Sequence, residues 1–145
     1  KAGDMSMINE NIEEMQTECI LVNFIEPILF VKKSNNGDRH IILLYDDEKG
    51  KYLMAKTNSE KLLRMLHKEV SIRSLFVNAV DKEMYIAEWN FHKERYIVRN
   101  IKKDNVTDAM LPKKDAVFSL NNDNIQKYVR NLECEQKEMN ENKKI

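Results

Sequence analysis

The sequence predicts one α+β domain built mainly on an antiparallel sheet of about five to seven strands. Three observations predict it. Short β-rich apolar runs follow one another from Cys19, separated by turn signals and not by helices. Two short helical stripes are inserted after the fourth run, and a longer one closes the chain. At 145 residues the chain fits the prior for one domain, and it is long enough to bury a core without disulfide or metal staples.

The elements read in order. Ile8, Ile12 and Met15 make a thin stripe, so residues 6–16 are expected to form a short helix within an N-terminal segment, 1–18. The core is expected over 19–120. Its first run, Cys19 to Ile25, is interrupted by Glu26-Pro27, because proline cannot donate to a ladder. The run resumes over Ile28 to Val31. Asn36-Gly37 then sits between two apolar runs, the strongest short-range hairpin signal. The return strand, Arg39 to Tyr45, is apolar on both faces and belongs in the middle of the sheet. Asp46 to Gly50 turns into a strand over Tyr52 to Lys56.

Asn58 or Ser59 can cap a helix whose apolar face is Leu62, Leu63, Met65 and Leu66. Ser71 can cap a second, with Ile72, Leu75, Phe76 and Ala79 on one side. Both are too short to stand alone and must pack on the sheet. Strands are expected over Met84 to Trp89 and Arg95 to Ile101, joined by a hairpin loop, with a small strand at Ala116-Val117-Phe118. The last unit, 121–145, starts a helix near Asn122 or Asp123. Ile125, Tyr128, Val129 and Leu132 carry it to about Glu138, followed by a frayed tail.

Charge removes whole classes of function. Lys plus Arg and Asp plus Glu are 24 each, so the net charge is zero. A domain that grips nucleic acid over its whole surface should be basic. No apolar run approaches the length of a membrane span. Cys19 and Cys134 lie far apart without a CxxC pair, as in a cytoplasmic protein with reduced thiols. The N-terminal residues lack the apolar core of a signal peptide.

No constellation of catalytic or metal-ligating residues emerges. His40, His67 and His92 form no HxH or HxxxH pair with one another or with the cysteines, so no metal site is expected. No GxSxG elbow surrounds a nucleophile, and three glycines cannot build a phosphate loop. No cofactor is therefore expected. Glu135-Gln136-Lys137 has the letters of a nuclease Glu-x-Lys but lies on a helix tail. The segment from Trp89 to Tyr96 stands out. It places Trp89, Phe91, His92 and Arg95 around one hairpin, and residues 91–114 carry seven Lys or Arg against three Asp or Glu. Interleaved aromatics and cations can grip a protein or stack bases, although Trp and Tyr are also ordinary strand residues. Arg73 falls in the first turn of a helix, where a cation gains nothing from the dipole. It should have a partner elsewhere, either an acid on a neighbouring strand or a ligand anion.

Glu26-Pro27-Ile28-Leu29-Phe30, Gly37, Tyr45 and Tyr52-Leu53-Met54 precede a helix with Ser59, Leu63 and Leu66 and a Val70-Ser71-Ile72-Arg73 turn that leads to Phe76. This order, over about residues 19–90, resembles an uncharacterised bacterial domain family of unknown function. The resemblance implies the fold and carries no activity. The functional expectation is a cytoplasmic bacterial or mobile-element protein acting as a non-enzymatic interaction or regulatory module. A protein partner or self-association as a homodimer is expected before nucleic acid. The alternative is a nucleic-acid-associated effector or enzyme whose Glu88, His92 and Arg95 meet only in three dimensions.

Overall fold

The computed structural model describes residues 12–143. Six strands lie side by side in chain order: β1 (Gln16–Phe24), β2 (Glu26–Lys33), β3 (Arg39–Asp46), β4 (Lys51–Thr57), β5 (Met84–Asn90) and β6 (Arg95–Asn100). Every neighbouring pair is antiparallel. Helices α1 (Ser59–Leu66) and α2 (Ile72–Val77) follow β4, and α3 (Asp123–Lys143) ends the described chain. The α+β class, the strand count and the placement of the helices are as the sequence predicts.

Local chemistry accounts for the turns and helix starts. Gly37 adopts φ 94° in the β2–β3 turn, which a side chain would resist. Asn58 Oδ1 accepts the Lys61 amide at 2.9 Å and starts α1, while Ser71 Oγ accepts the Ser74 amide at 3.2 Å and starts α2. Asn122 Oδ1 accepts from the Ile125 amide at 3.0 Å and does the same for α3.

Alternation along the strands gives the sheet two apolar faces. On one, Leu29, Val31, Ile41, Leu53 and Ile86 pack beneath Leu62, Met65, Phe76, Tyr128 and Leu132 of the helices. Each such side chain fully buried is worth about 1.5–3 kcal/mol, which is what holds a helix as short as α2 in place. On the other face Phe30, Ile42, Met54, Tyr85 and Ala87 form a second cluster with Ile12 and Met15. Ile41 and Ile42 are both fully buried, so β3 is covered on both sides as its sequence demands.

The structure corrects several boundaries. Ile12–Glu14 form one 3₁₀ turn and Gln16 opens β1, so the C-terminal part of the expected N-terminal helix is not α-helical. The remainder of that segment, residues 1–11, lies outside the described residues. Pro27 does not break a strand: the chain turns at Ile25, and Pro27 lies in β2 opposite Asn23. Ala79 lies beyond the end of α2. Ala116-Val117-Phe118 forms no strand, yet Phe118 is only 2% exposed. Helix α3 runs to Lys143 and not to Glu138, since Glu, Gln, Lys and Met extend a helix without an apolar stripe. Arg73 has its partner, but in the 3₁₀ turn Asp108–Met110 and not on a strand. Its Nη2 meets Asp108 Oδ1 at 2.7 Å, and its Nε donates to the Pro112 carbonyl at 2.8 Å.

Candidate functional site

Strands that alternate in direction place the β1–β2, β3–β4 and β5–β6 turns at one end of the sheet. Asn90 Oδ1 accepts the Lys93 amide at 2.9 Å and shapes the β5–β6 turn, where Glu94 takes a left-handed φ of 51°. Trp89 and Tyr96 face each other across this hairpin. Their rings meet edge to face at 5.0 Å. The file continues through Tyr52 at 5.6 Å from Tyr96 and Phe30 at 5.9 Å from Tyr52. Each edge-on pair adds about 0.5–1.5 kcal/mol beyond burial. Trp89 is thus half-buried and part of the packing. Burial, with Tyr96 alongside, pushes the Tyr52 hydroxyl well above its ordinary pKa.

Phe91 is different. It touches Trp89 at 6.5 Å between centroids but is 74% exposed. His92, Lys93 and Arg95 around it are also exposed. The aromatic file therefore stiffens a hairpin that holds one phenyl ring out in water between cations.

The β1–β2 turn at the same end carries two residues that sequence reasoning missed. Phe24 is 73% exposed and Ile25 is 94% exposed. Ile25 also has φ 66°, in the left-handed region that a β-branched residue enters only under strain. The only available signal was a turn with neither glycine nor asparagine, in which an apolar pair precedes Glu26-Pro27.

The other candidates are not brought together. No hydrogen bond or ion pair joins Glu88, His92 and Arg95; the Glu88 carboxylate lies 4.0 Å from Lys51. Arg73 is occupied by Asp108 and sits away from the hairpin, in α2. Among the described residues no group of three His, Cys, Asp or Glu could hold a metal ion. Both cysteines are free, and burial followed by the Glu18 charge pushes the Cys19 thiol up to about 11, which makes it a poor nucleophile. No helix among the described residues is long and apolar enough to cross a membrane.

A cluster of paired charges lies elsewhere. Arg39, 9% exposed, donates through Nε to Glu18 Oε1 at 2.7 Å and through Nη2 to Glu18 Oε2 at 3.0 Å. The same guanidinium reaches both oxygens of Glu135 on α3. The Tyr128 hydroxyl donates to Glu18 at 2.7 Å. Its charges answer one another, and the cluster joins β1, β3 and α3.

No curated protein and no solved structure matches the chain. One family model does match, over residues 15–145, and it describes a family of unknown function.

Proposed function

The chain belongs to this family, DUF6575, which brings no activity with it, and on that premise we propose that the protein is a non-enzymatic interaction module that docks a protein partner at the hairpin end of its sheet. Ile25 carries the reading. A strained β-branched residue placed almost wholly in water does nothing for the folded chain alone; glycine or asparagine would serve the turn at lower cost. Phe24 and Phe91 add two large apolar side chains at the same end. Exposed aromatics are what binding hot spots use. The Lys93 and Arg95 flanks favour an acidic protein surface with an apolar notch. Zero net charge weighs against nucleic acid as the occupant. The composition, rich in Asn and Lys with two reduced cysteines, supports a cytoplasmic protein of bacterial or mobile-element origin.

The test combines Phe24→Ser with Phe91→Ser. The untagged chain is first sized by light scattering, and proteins captured from its host are identified and purified. Direct affinity is then measured with each purified protein and for self-association. Loss of at least about tenfold in one of these affinities in the double variant, with an unchanged melt, supports the reading. Equal binding by wild type and variant, or no protein bound directly, overturns it. A dimer dissolved by the variant makes the partner a second copy of this chain.

A further inference from the structure

A hollow of about 880 Å³ opens between the helix-side face of β5 and β6 and the loop that follows β6. Its size falls within the roughly 300–1,000 Å³ typical of small-molecule sites. Tyr45, Ile86 and Met110 give it an apolar floor. Lys82, Arg99, Lys102 and Lys103 stand around it, all exposed. Among the described residues none of these four cations forms an ion pair with a carboxylate. Among the described residues Glu83 is the one carboxylate in the lining, and it is already engaged by the Tyr85 hydroxyl at 2.7 Å and by Lys56 at 3.6 Å.

The backbone at the rim is strained as well. Asp81 and Lys82 have consecutive φ values of 57° and 60°. Asp81 is pinned there by Lys56 at 3.2 Å. Side-by-side residues in this region are costly, and such strain concentrates at ligand clamps. Here it fixes Lys82 beside the hollow.

We propose that this hollow binds a nucleoside phosphate, the ring lying on the apolar floor and the phosphates on the four cations. An apolar floor beside unpaired cations suits a ligand with a planar body and an anionic end. A duplex would need a longer basic track than one hollow supplies. The site is separate from the exposed hairpin residues and does not depend on the docking reading.

The test is calorimetric titration of the full chain with ADP, GDP, CDP and UDP, with inorganic pyrophosphate and with a short oligothymidylate. At least one nucleotide should bind below about 1 mM, and pyrophosphate should bind about tenfold more weakly because it has no ring. Arg99→Ala combined with Lys103→Ala should weaken nucleotide binding by at least about tenfold at an unchanged melting temperature. Lys82→Asn, which keeps the left-handed backbone accessible, should also weaken it. Failure of every nucleotide to bind, equal affinity for pyrophosphate, or undiminished binding by the variants overturns the proposal. Tighter binding of the oligothymidylate than of any mononucleotide would replace it with a single-strand site.

Discussion

Arg39 and Glu135, 96 positions apart in the chain, are joined by two hydrogen bonds, Nη1 to Oε2 at 2.6 Å and Nη2 to Oε1 at 2.8 Å. The planar fork of the guanidinium matches the carboxylate, while its Nε edge and Nη2 hold Glu18. One side chain thereby ties the C-terminal helix to the sheet.

Removing that fork leaves two carboxylates facing each other, Glu18 largely buried and Glu135 partly exposed. Arg39→Met should cost about 3 kcal/mol, the low end of the range for breaking a buried pair, because Glu135 is partly exposed. Arg39→Lys should fall between wild type and Arg39→Met, since an ammonium cannot bridge both carboxylates bidentately. Urea unfolding of the three proteins measures this; equal midpoints would mean the cluster contributes nothing.

The same cluster sets an acid limit. Burial alone raises the Glu18 carboxyl, but hydrogen bonds from Arg39 and Tyr128 and the Arg39 charge outweigh it and hold its pKa below the ordinary 4.5. The Arg39 hydrogen bond lowers Glu135 likewise. A folded-state pKa below the unfolded value stabilises the fold above pH 4.5 and loses that contribution as pH falls through the folded value. Stability should therefore decline below about pH 4.5 and be flat above it for these two groups. In the triple variant Arg39→Met, Glu18→Gln, Glu135→Gln the acid slope should be shallower; an unchanged slope between pH 3 and 5 would place the acid sensitivity elsewhere.

Much of this architecture is legible in the sequence, and the reason is local. Asn36-Gly37 declares its turn, Asn58 and Ser71 declare their helix starts, and the double-faced run around Ile41 and Ile42 declares a central strand. The stretch between β6 and α3 is illegible because only isolated single turns hold it locally, and contacts with distant residues such as Arg73 place it. Its 3₁₀ turns have no periodicity, and the β-prone Ala116-Val117-Phe118 joins no strand: the Ala116 amide donates to the Lys113 carbonyl at 3.1 Å, and the Ala116 carbonyl accepts from the Ile72 amide at 3.0 Å. The Trp89–Tyr96 hairpin could be read from its aromatics. Phe24 and Ile25 could not be picked out, because in one dimension they continue an apolar strand.

Gly50 answers to two constraints at once. It has φ 61°, and a Cβ placed on it would lie 3.1 Å from the Trp89 Cβ. Gly50→Ala should destabilise the protein by about 1–2 kcal/mol through backbone strain alone. Because Trp89 is the sole tryptophan, the displacement should also shift the intrinsic fluorescence. A native-like spectrum and midpoint would show that the β3–β4 turn has room to relax.

Ile25→Gly separates folding from docking, because the two should move in opposite directions. Glycine takes φ 66° without the clash that Ile25 bears, and almost no buried surface is lost when a side chain 94% exposed is removed. The gain is offset in part by the greater freedom of glycine in the unfolded chain, leaving about 1 kcal/mol, or roughly 3–4 °C in melting temperature for a chain of this size. A residue kept for folding would show the reverse, a lower melt on substitution. Rising stability together with weaker partner binding is the combination that a residue kept for docking must give, and a melt that falls or binding that holds breaks the link between this strained position and an interface.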